Sequence, residues 1–151
     1  MGGTANGYPE GTLKTIALSG VNGSQYVTNP GLLNYPLQGV TYVEISSGST
    51  WLPVNFGSNG RGILVVHNSA TNAVMKNLNS GTFKGLIIAD DMVHVHMDII
   101  GAIFLLTTGP SEGNCIGNGN GSLLFCRDAV NQGVQGAGGS SRSVAVQDYW
   151  E

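Results

Sequence analysis

Two histidines two positions apart, His94 and His96, are the sharpest chemical feature of this chain. They sit in Met92-Val93-His94-Val95-His96-Met97, where apolar and polar residues alternate. On a β-strand, residues i and i+2 face the same side, with their roots about 7 Å apart. Two imidazoles so placed can chelate a divalent metal. Asp98 lies one step further along the same face, and His67 or Asp91 could reach in from a neighbouring corner. His94, His96 and Asp98 are therefore the candidate metal ligands. The competing reading is a solvated outer face that merely carries two histidines. No other cofactor is expected.

Other residues invite chemistry less strongly. Asp90-Asp91 beside Asp98 offers carboxylates of the kind that glycoside hydrolases hold about 5 to 9.5 Å apart. Turn formation at a corner is the plainer role for an Asp-Asp pair. Gly117-Asn118-Gly119-Asn120-Gly121 is loop-like, but a phosphate cradle needs a helix N-terminus behind it. The next residues, Ser122-Leu123-Leu124-Phe125, read as a strand. No catalytic residues are expected. The two cysteines, Cys115 and Cys126, would close a short loop if bridged, worth up to about 3 kcal/mol in the chain-entropy model. A bridge would suit an oxidising compartment; the alternative is two buried thiols. Trp51 comes after a Ser/Gly loop and is the candidate binding aromatic, since exposed rings bind sugars and partner proteins. Core packing is its other reading.

Composition decides which elements can hold these residues in place. Charged residues make up only 10% of the 151, and glycine contributes 24. Ordinary domains carry roughly 25% charge, so long amphipathic helices lack material for their wet faces. Aliphatic and β-branched residues are plentiful, which argues against disorder. Leu13–Leu18 reads as a first strand, and Gly39–Ile45 alternates, with Val40, Tyr42 and Glu44 on one face and Thr41, Val43 and Ile45 on the other. Apolar runs opened by glycine then recur at Gly62–His67, Phe83–Ala89, Gly101–Leu106 and Gly121–Phe125. A spacing of about 20 residues is the mark of stacked repeats.

The expected fold is therefore all-β: a short right-handed parallel β-helix, or β-solenoid. A short capping helix over Asp128–Val134 would close the C-terminal end of the stack, and Ser143–Gln147 would form a final strand. Residues 1–38 are expected to cover or cap the solenoid domain of residues 39–151. Runs such as Leu64–Val66 and Leu86–Ile88 are apolar on both faces and need cover on both.

Net charge is −3, with six basic residues spread thinly. Nucleic-acid binding depends on Lys and Arg neutralising phosphates, so no nucleic acid is expected as a partner. No apolar run reaches the roughly 18 residues of a membrane span. Membrane contact is expected only through a segment outside this chain.

Gly39-Val40-Thr41-Tyr42-Val43-Glu44, Gly62-Ile63-Leu64-Val65-Val66, Phe83-Lys84-Gly85-Leu86-Ile87, Ile100-Gly101-Ala102-Ile103, Gly117–Gly121 and Tyr149-Trp150-Glu151 succeed one another in order. Together they resemble the C-terminal, solenoid-like region of PilX-like type IV pilus-assembly proteins. The likeness spans residues 39–151 and lacks that family's N-terminal membrane helix. It implies a structural or adhesive role outside the cytoplasm (periplasm, cell surface or secreted), without catalysis, through protein partners in a pilus or surface assembly, self included. A carbohydrate-binding or carbohydrate-acting β-helix and a filament-forming solenoid are the competing functions.

Overall fold

Aliphatic runs that pair as parallel strands bury both faces, so the fold must supply two covers. The computed structural model of the chain describes residues 11–53, 55–109 and 121–137. Helix α1 (Thr12–Ser19) precedes β1 (Gln25–Val27), β2 (Val40–Val43), β3 (Thr50–Trp51) and β4 (Gly60–Val66). Then come β5 (Val74–Leu78), β6 (Thr82–Ala89), β7 (Asp91–Val95), β8 (Asp98–Leu105), β9 (Leu123–Phe125) and helix α2 (Arg127–Ala137). Six strands form one sheet in the order β1-β2-β4-β6-β8-β9, and three form another, β3-β5-β7. Neighbours in both sheets pair in parallel. From β2 to β8 the chain alternates between the sheets.

The expected all-β parallel β-helix is corrected by the helices: the molecule is mixed α/β, two parallel sheets of six and three strands with α1 and α2. The physical reason is visible at the N-terminal side. Leu13–Leu18 reads as a strand by composition, yet Leu13, Ile16 and Ala17 stand at i, i+3 and i+4, the stripe of a helix face. All three join the apolar cluster of Val40, Tyr42, Ile63 and Val65. Gly20, at φ 72°, ends the helix and donates its N–H to Ala17, a left-handed stop that glycine adopts without steric cost.

The second helix is also placed differently from the expected end cap. It runs Arg127–Ala137 and buries Ala129, Gly133 and Ala137, one residue per turn of a narrow stripe. That stripe lies on the face of the large sheet: a Cβ at Gly133 would stand 2.7 Å from the Gly62 carbonyl oxygen. Small residues on the helix meet glycine on the strand, so the two backbones approach closely. Gly62, Gly85 and Gly101 are in register across β4, β6 and β8, with φ of 108°, 142° and 150°. A Cβ on any of them would run into the backbone carbonyl of the glycine one strand back. Position and conformation both exclude a side chain there.

The main core lies between the sheets. Val43, Leu64, Val66, Ile87 and Ala89 of the large sheet join Trp51, Met75, Leu78, Met92 and Val95 of the small one, with Phe56 and Phe83 filling the space. No helix among the described residues is long and apolar enough to cross a membrane.

Candidate binding face

The outer face of the large sheet carries a row of apolar residues in register: Tyr42, Val65, Ile88 and Phe104. Over β2 and β4 this row is buried beneath the helices, whose Leu13, Ile16, Ala17, Val134 and Ala137 belong to the same cluster. Helix α2 reaches β8 as well, yet Phe104 is 59% exposed. Strand β8 pairs with β6 from Asp98 to Leu105, but β9 pairs with β8 only at Ile99, Ile100 and Gly101. Among the described residues, Ala102–Leu105 therefore have no strand on their outer side. Strand β9 is exposed at all three residues, Leu124 by 61% and Phe125 by 73%. By register, Phe104 and Leu124 lie on the outer side of this end of the large sheet, and Leu105, Leu123 and Phe125 on the opposite side. Isolated exposed leucines are ordinary; several exposed apolar side chains on two adjoining strands single out this end of the sheet as the candidate contact surface. The signal in the sequence was the unbroken apolar run Ile99–Leu106, which composition alone assigns to the core.

The candidate metal ligands do not converge as a set of three. No group of three or more His, Cys, Asp or Glu side chains among the described residues could hold a metal. Val93, Val95 and Met97 are buried, and the rings of His94 and His96 stand 6.4 Å apart, both half-buried. His94 is in the left-handed region at φ 56°, as is Asn77 at 57°, on the neighbouring strand. His94 Nδ1 donates to Asn77 Oδ1 at 3.2 Å. This left-handed step interrupts the regular alternation that the sequence implied. Asp98 is engaged elsewhere: its Oδ1 accepts from the backbone N–H of Ser122 at 3.1 Å and from its hydroxyl at 2.8 Å. It thereby ties the start of β8 to the residue before β9. Only the two imidazoles remain adjacent, a pair that could contribute two ligands to a metal.

Trp51 is in the core rather than on the surface, 7% exposed, with its ring 5.8 Å from that of Phe56. As the inward residue of a two-residue strand, it fills space between the sheets and offers no platform to a sugar. Asp90 is fully buried and serves the backbone. Its Oδ2 accepts from the N–H groups of Asn68 and Ala73, both at 3.0 Å, and its Oδ1 meets His67 Nδ1. Asp91 Oδ1 accepts from the Met92 N–H at 2.9 Å. These carboxylates hold corners between strands. Sequence reasoning placed Asp90 at a turn and missed that it ties together two separate segments.

One charged cluster joins α1 to the strands. Lys14 Nζ and the Tyr26 hydroxyl both donate to Glu44 Oε2, and the ammonium lies 5.1 Å from the Tyr26 ring centre. The hydrogen bond from Lys14, with that from Tyr26, holds the Glu44 carboxyl below its ordinary value. The bond to Glu44 raises both Lys14 and Tyr26. Burial raises Tyr42.

Cys126 is half-buried just before α2. Its candidate partner Cys115, the Gly117–Asn120 stretch and the expected final strand Ser143–Gln147 lie outside the described residues. Comparison with family models, curated proteins and solved structures gives no match.

Proposed function

We propose that the chain is a non-catalytic structural and adhesive module of an extracytoplasmic surface assembly, of the type IV pilus kind, acting through protein contacts. The observation that carries this reading is the exposed apolar end of the large sheet, with Phe104 and Leu124 on its outer side and Leu105, Leu123 and Phe125 on the other. A surface of that kind is suited to docking on protein. The rest of the chemistry is consistent with a scaffold. The buried carboxylate of Asp90 is committed to backbone N–H groups, and Asp98 to Ser122. The likeness of residues 39–151 to the PilX-like region supports the pilus setting. The carbohydrate-binding reading loses its main residue, because Trp51 is buried.

The test is location in the native cell. Antibody labelling of intact cells, together with fractionation, is expected to recover the protein at the surface or in the periplasm, co-purifying with sheared surface appendages. Recovery in the cytosolic fraction alone would refute the reading.

A further inference from the structure

We infer that His94 and His96 together bind a divalent transition-metal ion, each imidazole giving one nitrogen and water completing the coordination. The pair belongs to the small sheet, not to the exposed end of the large one, and the inference stands independently of the docking role.

The first observation is adjacency. The two residues flank Val95, which packs into the core between the sheets, and their ring centres are 6.4 Å apart. A ligating ring nitrogen sits about 2.0–2.1 Å from zinc, so two imidazoles on one tetrahedral ion have their centres about 5 Å apart. The remaining gap, on the order of 1 Å, is closed by a small turn of the His96 side chain within its rotamer well. Among the described residues no hydrogen bond holds that ring in place.

The second is the tautomer. His94 Nδ1 donates to Asn77 Oδ1 at 3.2 Å. An amide oxygen only accepts, so the proton of the neutral ring is on Nδ1 and Nε2 keeps its lone pair. Metal-binding histidines are held in this way, the other ring nitrogen donating to an oxygen that fixes the ring.

The third is the backbone that makes this contact. Asn77 and His94 stand between the register pairs Lys76–Val93 and Leu78–Val95, and both are left-handed, at φ 57° and 56°. Non-glycine residues seldom take that conformation; two side by side bring the amide to the ring. Lys76 is the neighbouring charge on β5, and its long stem lets the ammonium turn to water. Imidazole nitrogen selects zinc, copper or nickel over magnesium or calcium, which prefer oxygen.

The experiment is calorimetric titration of the full chain, thiols kept reduced, with zinc chloride at neutral pH. The expected result is a saturable isotherm with one ion per chain, and no heat with magnesium chloride. His94→Asn, a residue that accepts the left-handed backbone, and His96→Ala are each expected to abolish binding. Asn77→Gly keeps that backbone and removes the amide, and is expected to weaken binding about 10–100-fold. An unchanged far-ultraviolet spectrum checks that each variant folds. Zinc should also raise the melting temperature of the wild type and leave that of His96→Ala where it was. A wild-type chain that gives no saturable heat overturns the inference. So does binding that survives both histidine substitutions, which would place the ion at His67 or at the thiols of Cys115 and Cys126. An Asn77→Gly chain that binds zinc as tightly as the wild type overturns the positioning role given to Asn77.

Discussion

Thr41 and Asp90 show how differently two buried polar groups can be treated. Thr41 is 1% exposed on β2, and its hydroxyl has no hydrogen-bond partner. A buried hydroxyl without a partner keeps its desolvation cost. Thr41→Val replaces it with a methyl of nearly the same shape and keeps the β-branch that suits a strand. The variant is expected to gain about 1 kcal/mol, read as a higher denaturant midpoint with an unchanged slope. Asp90 is the opposite case, a fully buried carboxylate that accepts from two backbone N–H groups and meets His67. Asp90→Ala leaves those donors buried without an acceptor. Hydrogen bonds to a charged group contribute about 1.5–3 kcal/mol each, so a loss of at least about 3 kcal/mol is expected. His67→Ala removes only one partner from the same carboxylate and should cost less. A denaturation series on the two single variants and the double variant would show coupling at this corner.

At the scale of elements, α1 is held by packing on the sheet and by the Lys14–Glu44–Tyr26 cluster. The pH dependence follows from the shifts. Glu44 is held below its ordinary 4.5, so its contribution is present above that value and is lost as pH falls through the lower folded value. Lys14 and Tyr26 are raised above 10.5 and 10.0, so theirs is present below those values and is lost as pH rises through the folded ones. The cluster therefore gives a plateau from about pH 5 to 10. Lys14 and Glu44 are 39% and 28% exposed at their side chains, and solvent screening holds the whole contribution to about 1 kcal/mol or less. Glu44→Gln is expected to lower stability by that amount at pH 7 and to flatten the acid limb of the stability curve. The glycine register across β4, β6 and β8 leaves no such margin. Gly85→Ala sets a Cβ against the Gly62 carbonyl in a left-handed backbone, and a loss above about 4 kcal/mol or insoluble protein is expected. The strands themselves were legible: the glycine-opened apolar runs are β4, β6, β8 and β9, because period and composition are local signals. The helices were harder. The stripe Leu13, Ile16, Ala17 is only three residues, and the stripe Ala129, Gly133, Ala137 is built of small residues whose apolar signal is weak. Their value as cover appears only once Gly62 is seen to admit Gly133. The His94–His96 pair was legible as a spacing. Asp98, however, turns to Ser122, a contact 24 residues away that no local pattern carries.

On the scale of the whole molecule, α1 and α2 cover the outer side of the large sheet, and α2 reaches as far as β8. The cover is uneven along the row Tyr42, Val65, Ile88 and Phe104. Val65 is fully buried, whereas Phe104 is 59% exposed. The two ends of one row should therefore answer differently to the loss of a side chain. Val65→Ala removes buried methyl groups and leaves a cavity beneath the helices, and a loss of about 1–3 kcal/mol is expected. Phe104→Ser removes a ring that water already reaches, and a smaller loss is expected. Urea denaturation of the two variants reads both as shifts in midpoint at an unchanged slope. A Phe104→Ser chain that loses as much as Val65→Ala would place Phe104 in the packing of the fold.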